Sequence, residues 1–287
     1  MSNPNTLDFD MSLSVYNSGR DSCATSVVDC ADYHYIRPVL RQVGVVTSAS
    51  TNEEFFSDAI ASHLAGISQP EVTISGTADY SWLLENSPLV ASLPQAETTR
   101  ITVEDACGTP TISSVMASKA LTGVEVASVS SDIRRSLSRE QQDLIVTDAF
   151  LTQFPDSADR LSILRSWYSS LKIGGLAVTT VQIRSASITQ PSDRGLSRFV
   201  DNTVKAIEDS PYPDALRLQP QDARDAVLRY AQLTRSRTYE SEEELVSEVQ
   251  AAGLTVKEIT PLTVFSQGLQ KTLFYRGVIL EKPETAK

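Results

Sequence analysis

The chain has 287 residues, of which 41% are hydrophobic and 21% charged, the composition of a globular protein large enough for one α/β domain. Its net charge of −11 would repel a nucleic-acid backbone, and no apolar run approaches the roughly 20 residues that a membrane span needs. The three cysteines and two histidines show no CxxC or HxxxH spacing, so the sequence predicts no metal site. No signal peptide precedes Cys23, so we expect a cytoplasmic protein with reduced thiols, although Cys23 and Cys30 could pair in an oxidising compartment.

The N-terminal part, residues 1–68, is predicted to be a helical segment that precedes the main domain. The first 20 residues are rich in Ser, Asn and Asp without periodicity, which predicts a flexible arm or a lid. Apolar residues at helical spacing follow between Cys30 and Val46, and Asn52 can cap a further helix. If residues 1–45 close over a ligand, deleting residues 1–28 should reduce turnover far more than thermal stability.

From residue 71 onward, strand and helix patterns alternate. Strands are predicted at 71–75, 99–104, 124–129, 143–148, 176–182, 255–264 and 272–280. Helices are predicted between most of them, at 80–90, 110–121, 157–171 and 241–252. This alternation predicts an α/β fold, a doubly wound Rossmann-like sheet that is mainly parallel, with helices on both faces.

Two features interrupt the alternation. Residues 184–240 contain helical patterns at 197–208 and 221–233 but no strand, so we interpret them as a substrate-side insertion within a domain of residues 69–287. The last two strands are joined by only about seven residues around Gly268, too few for a parallel crossover. They should therefore form an antiparallel hairpin at the C-terminus.

The residues that follow the first two strands are candidates for ligand contacts, because ligands of doubly wound sheets bind at the carboxyl ends of the strands. After the first strand, the loop of Gly76, Thr77 and Ala78 offers small residues that let a ligand approach the backbone. After the second strand, Glu104 or Asp105 can accept hydrogen bonds from both hydroxyls of a ribose. Taken singly, the loop could be a tight turn and the acids a solvated turn or a helix cap.

The third and fourth strands are followed by groups that suit the rest of a nucleoside. Asp132 can accept a hydrogen bond from an exocyclic amine, and Ile133 offers an apolar face to a base. Asp148 comes after the fourth strand, and the fifth is preceded by LKIGG, predicted to be a helix end with a glycine stop. The coincidence of these groups at successive strand ends favours a nucleoside-type cofactor.

The ordered series ISGTAD, TVEDACGTP, VSSDI, DLIVTDAFLTQF and LKIGGLAV resembles the class I S-adenosylmethionine-dependent methyltransferases over roughly residues 30–287. The resemblance implies a seven-stranded sheet ending in an antiparallel hairpin, with S-adenosylmethionine as cofactor. It implies that Gly76 and Ala78 replace the first two glycines of the cofactor loop, and that Asp105 is the ribose-binding acid. The chain departs from the family at Ile74, where an acid is usual, and at Tyr80, where a third glycine is usual.

The same resemblance implies roles for the next two motifs and for the reaction. Asp132 and Ile133 take the place of the adenine-binding pair, and Asp148 opens the fourth motif. The reaction would be attack of an acceptor atom on the sulfonium methyl group, for which Asp148 and His34 are the candidate bases. Asp148 could instead be a helix cap, and His34 a partly exposed helix histidine.

The acceptor is expected to be a small molecule bound by the N-terminal helices and the insertion. Tyr33 flanks His34, and arginines of the insertion, Arg235 and Arg237 foremost, could bind a carboxylate in a two-pronged manner. A solvated helix is the alternative explanation for these arginines.

Three functions stay open from the sequence. The first is methyl transfer to a small molecule. The second is non-methyl use of the same cofactor, by aminopropyl transfer or cyclisation of the aminobutyrate arm. The third is a differently liganded nucleotide-binding α/β protein. The sequence predicts neither a nucleic-acid nor a membrane partner, and it does not indicate the oligomeric state.

Overall fold

The computed structural model of the protein describes residues 4–24, 30, 33–94, 98–135, 141–183, 193–233, 239–266 and 271–284. In these residues the strands are β1 (Glu71–Ser75), β2 (Thr99–Asp105), β3 (Val124–Ser130), β4 (Gln142–Val146), β5 (Leu171–Gln182), β6 (Thr255–Ser266) and β7 (Lys271–Glu281). The helices are α1 (Pro4–Ala24), α2 (Tyr33–Gln42), α3 (Glu53–Leu64), α4 (Pro88–Ala91), α5 (Gly108–Ser118), α6 (Ser157–Ser170), α7 (Asp193–Glu208), α8 (Tyr212–Leu216), α9 (Pro220–Leu233) and α10 (Glu242–Ala251).

The seven strands form one sheet in the order β3-β2-β1-β4-β5-β7-β6. Strands β1 to β5 pair in parallel, and β7 runs antiparallel to both β5 and β6. The fold class predicted from the sequence is therefore confirmed, including the C-terminal antiparallel hairpin. The strand order reverses between β1 and β4, and the crevice outside the carboxyl ends of these strands is where ligands of doubly wound sheets bind.

Helices cover both faces of the sheet. Successive side chains of β1 point to opposite faces, and on each face they contact helices. Val72 and Ile74 point into an apolar cluster with α3 and α4. On the other face, Trp167 of α6 donates a hydrogen bond from Nε1 to Ser75 Oγ over 2.9 Å. A separate apolar cluster joins α1 and α2 to α7, α8 and α9. This last cluster supports α2, which carries residues of the candidate site.

The prediction of a flexible arm at the N-terminus is wrong, because residues 4–24 form α1. Ser, Asn and Asp lower the intrinsic helix propensity of this segment, and they interrupt the periodic pattern of apolar residues that would predict a helix. Tertiary contacts override that propensity: Ser12, Val15 and Tyr16 are buried, and Ser12 Oγ lies 2.7 Å from the hydroxyl of Tyr80. The N-terminal segment is thus a packed part of the protein, while its division from the main domain at residue 68 stays a prediction.

Two further predictions of local structure need correction. The helix expected at 80–90 is split into a 3₁₀ turn at Tyr80–Leu83 and the short α4, because Pro88 has no N–H and can only begin a helix. The LKIGG motif is not a helix end: α6 stops at Ser170, and the motif forms the first part of β5. There the register with β4 shifts between Gln142 and Leu144, which accommodates the two glycines.

The insertion predicted at 184–240 contains α7, α8 and α9 in its described part. Both helices expected there exist, and each begins before its predicted start because the first turn is polar. No helix among the described residues combines the length and hydropathy that crossing a bilayer would require. The cytoplasmic location stays a prediction.

Candidate functional site

The loop after β1 begins with Gly76 in the left-handed region, at φ 65°. The N–H of Gly76 donates to the carbonyl of Glu104 in β2 over 2.8 Å. The carbonyl of Gly76 accepts a hydrogen bond from Thr147 Oγ1 over 3.2 Å. A Cβ placed at Gly76 would lie 2.2 Å from the ring of Phe150, which covers this residue. Glycine is therefore required both by the backbone angle and by the close approach of an aromatic side chain.

Asp105, at the end of β2, lies at the centre of a hydrogen-bonded group. Its carboxylate accepts from the backbone N–H groups of Thr77 over 3.1 Å and of Cys107 over 2.8 Å. His34 of α2 lies above it, with Nε2 3.7 Å from Asp105 Oδ1 and Nδ1 donating to the carbonyl of Ala78 over 3.1 Å. Burial raises the pKa of Asp105, against the opposing effects of His34 and the two N–H groups. The structure thus brings four predicted site residues together.

A buried ion pair fastens the same loop to α2. Asp79 accepts from the backbone N–H of Ser81 over 2.7 Å, and Arg41 Nε donates to its other carboxylate oxygen over 3.0 Å. Burial acts to raise the pKa of Asp79, but the charges of Arg41 and Arg37 and the bonds from Ser81 outweigh it and lower the pKa. The sequence did not single out this pair, because its members are 38 residues apart on different elements.

Asp148 lies just beyond β4, at the strand-order reversal. Its Oδ1 accepts a hydrogen bond from Thr180 Oγ1 of β5 over 2.5 Å. Burial raises the pKa of Asp148, while Thr180 and the charge of Arg37 act in the opposite direction and Asp79 adds to the rise. The pKa of nearby Tyr275 is raised to about 12, first by burial and then by the charge of Asp148. A carboxylate whose pKa is raised towards neutrality is better suited to accept a proton.

Arg37 of α2 places a positive charge at this edge of the sheet. One terminal nitrogen of its guanidinium donates to the hydroxyl of Tyr230 in α9 over 2.9 Å, and the other donates to the carbonyl of Thr47. Among the described residues, its buried Nε has no hydrogen-bond partner. The ring of Tyr33 stacks on Tyr230, with centroids 5.2 Å apart and planes at 20°. Arg37 and the two tyrosines thus form one cationic and aromatic group, and the charge of Arg37 acts on Asp148.

Asp132 and Ile133, the pair expected to bind adenine, line a cleft of about 470 Å³ on the α6 face of the sheet. Asp132 is held by Arg134, whose Nε and terminal nitrogen donate to its two oxygens over 2.9 and 2.8 Å. These hydrogen bonds lower the pKa of Asp132. Ile133 and Glu104 line the same cleft, and Ser131 Oγ donates to Glu104 over 2.7 Å. A ligand of Asp132 would have to compete with Arg134.

The predicted substrate arginines, Arg235 and Arg237, lie outside the described residues. Of the other arginines in the insertion, Arg224 forms an exposed ion pair with Asp201 over 2.7 Å, as the solvated-helix alternative implies. The residue of the insertion that does reach the site is Tyr230. The sequence groups Tyr230 with the arginines of the insertion, as a cluster that could receive a carboxylate.

Comparison with known proteins bears on the fold. No family model and no curated protein matches the chain. Among solved structures, a possible exported protein from Bordetella parapertussis matches with a TM-score of 0.52 at 15% identity, covering 81% of this chain and 67% of that one. The mitomycin 7-O-methyltransferase MmcR matches with a TM-score of 0.50 at 15% identity, covering 86% of this chain and 57% of that one. The chain therefore spans little more than half the length of MmcR. The resemblance to class I S-adenosylmethionine-dependent methyltransferases is confirmed at the level of the fold.

Proposed function

We propose that the protein binds S-adenosylmethionine and transfers its methyl group to a small-molecule acceptor. The observation that carries this proposal is the convergence of the Gly76–Ala78 loop, Asp105 and Asp148 at the carboxyl edge of a sheet with this strand order. The motif resemblance and the fold shared with an O-methyltransferase favour this cofactor over a nicotinamide. The acceptor, the cytoplasmic location and the absence of nucleic-acid and membrane partners belong to the same proposal.

The side chains at this edge fit the groups that such a cofactor carries. Asp105 keeps lone pairs for the ribose hydroxyls beside its two backbone bonds. The unpartnered Nε of Arg37 suits the carboxylate of the amino-acid arm. Phe150 now fills the space above Gly76, so its ring has to turn away when a ligand lies against the loop.

When bound, S-adenosylmethionine supplies an activated methyl group on a positively charged sulfur. The protein then has to orient the acceptor and accept its proton. Asp148 is the better base, because burial raises its pKa and Thr180 holds its carboxylate in one orientation. His34 is less suited, since one ring nitrogen donates to Ala78 and the other faces Asp105. We assign His34 to positioning the loop and Tyr33 to the wall of the acceptor pocket.

The test is calorimetric titration with S-adenosylmethionine and with S-adenosylhomocysteine, and NAD as the competing ligand. Asp105→Ala should weaken cofactor binding by about 1.5–3 kcal/mol, roughly 10- to 150-fold. The matched control is Glu104→Ala, which should have much less effect because neighbouring strand residues point to opposite faces. If neither methionine-derived ligand binds the wild-type protein, the proposal fails.

Two outcomes would redirect the assignment. Loss of binding in Glu104→Ala but not in Asp105→Ala would place the cofactor in the cleft that Asp132 lines. Mass spectrometry of the products separates methyl transfer from the other uses of the cofactor. S-adenosylhomocysteine indicates methyl transfer, whereas methylthioadenosine indicates transfer or cyclisation of the carbon chain.

A further inference from the structure

The three cysteines of the chain, scattered in sequence, lie together in the fold. Cys23 is near the end of α1, Cys30 precedes α2, and Cys107 is the N-cap of α5. The sulfur of Cys107 lies 3.2 Å from that of Cys30 and 3.7 Å from that of Cys23, and all three sulfurs lie within 4.8 Å of one another. None of them is in a disulfide bond. Three segments separated by up to 84 residues thus direct one sulfur each to a common point.

The spacing of these sulfurs is that of ligands around one metal ion. Metal–thiolate bonds of about 2.3 Å place neighbouring sulfurs about 3.8 Å apart in tetrahedral geometry and about 4.0 Å apart in trigonal geometry. The two sulfur–sulfur separations from Cys107, 3.2 and 3.7 Å, are shorter than these values, and the third lies within 4.8 Å. All three side chains are buried, with exposures of 1% for Cys23, 7% for Cys30 and 0% for Cys107. The cluster is therefore shielded from solvent.

The surroundings of the three sulfurs favour negative charge. Cys107 begins α5, an 11-residue helix whose positive dipole end faces the cluster. Binding a cation there would release the thiol protons.

We propose that Cys23, Cys30 and Cys107 bind one thiophilic metal ion, of the class that includes Cu(I) and Zn(II). The ion would join the end of α1 and the start of α2 to the turn between β2 and α5. That turn also orients Asp105, which accepts from the N–H of Cys107 over 2.8 Å. The metal site is independent of the cofactor proposed above, because its ligands and its test involve no methyl donor.

The experiment measures metal content and affinity in the full-length protein. Reduced, metal-free protein is titrated anaerobically with Zn(II) in one arm and with Cu(I) in the other, each against a chromophoric chelator. We expect one equivalent of at least one of the two ions per chain, a higher melting temperature with the ion, and loss of that equivalent in Cys107→Ser. Cys30→Ser, at the least buried position, serves if Cys107→Ser does not fold.

A matched control keeps three thiols but separates them. In Cys107→Ser combined with Met116→Cys, the new thiol lies on the half-exposed side of α5, away from the cluster. This variant should bind no more metal than Cys107→Ser alone. Retention of a full equivalent, or no binding of either ion by the wild-type protein, overturns the proposal. So does a count of one reactive thiol in denatured protein purified without reductant, since two cysteines would then form a disulfide.

Discussion

Arg41 holds α1, α2 and the loop after β1 together, and its replacement is a direct test of this arrangement. Its Nε donates to Asp79, and its two terminal nitrogens donate to the carboxylate of Asp8 over 2.8 and 3.0 Å. Arg41 is 11% exposed and Asp79 only 2%. Arg41→Met keeps an unbranched apolar side chain, but the buried carboxylate loses its cation. Removing one partner of a buried pair costs about 3–5 kcal/mol, and we expect unfolding free energy to fall by that amount.

The pH dependence of this loss follows from the pKa of Asp79. In the wild-type protein the folded-state pKa lies below the ordinary value of 3.8, so Asp79 stabilises the fold above that value and loses its contribution as the pH falls. Without Arg41, burial raises the folded-state pKa instead. The variant should then become relatively more stable on acidification, and the difference between the two proteins should shrink as the pH falls through about 4.

The measurement is urea unfolding at several pH values, with hydrogen exchange of residues 4–24 as a second readout. Arg100→Met is the matched control, since Arg100 is 56% exposed and pairs with Glu71 on the surface. Exposed pairs contribute about 0–1 kcal/mol, so Arg100→Met should change the free energy of unfolding very little. The reasoning is refuted if Arg41→Met costs no more than Arg100→Met, or if its cost is the same at pH 4 and pH 7.

Three further predictions concern the loop after β1, the ion pair between α6 and α10, and α1. Gly76→Val should abolish cofactor binding and lower stability, because the new side chain meets the ring of Phe150; stability should partly return in a Phe150→Ala background, and unchanged binding would contradict this. Glu248→Gln should cost about 3 kcal/mol in urea unfolding, because the buried guanidinium of Arg160, bound to Glu248 over 2.6 and 2.9 Å, loses a charged partner. Deleting residues 1–28 should lower the melting temperature as well as turnover, since α1 is packed; a fully stable truncated protein would restore the flexible-arm interpretation.

The strands could be predicted because their signal is local. In β1 the predicted and observed bounds coincide, since a β-branched run is bounded by Pro70 and Gly76. The candidate site could be located for a similar reason: the rule that ligands bind at the carboxyl ends of strands needs only strand positions. Asp105 and Asp148 follow from that rule and from the motif resemblance. Local pattern and topology thus predicted the fold and the edge at which the site lies.

What failed were inferences about how helices pack on that edge. Arg37 and Tyr230 are 193 residues apart, and their hydrogen bond depends on how α2 and α9 cross, which no periodicity describes. The clustering of the three cysteines could not be predicted for the same reason, because spacing rules recognise only groups that are close in sequence, and Cys107 is 84 residues from Cys23. For α1, polar composition predicted disorder, whereas the stabilising contacts of Asp8 lie with residues of other elements.

The register of β2 against β1 determines which of its two neighbouring acids, Glu104 or Asp105, faces the candidate site. From the sequence either Glu104 or Asp105 could bind a ribose, because a shift of one residue exchanges the two faces of a strand. The register is set by the pairing of Ser75 with Glu104 and by the N–H of Gly76, which donates to the carbonyl of Glu104. Strand alternation places Glu104 in the cleft on the α6 side, and beyond the positive φ of Gly76 the N–H of Thr77 donates to Asp105 over 3.1 Å. The loop that follows Gly76 therefore meets Asp105 and not Glu104, and this is why replacing either Gly76 or Asp105 should impair cofactor binding, whereas replacing Glu104 should not.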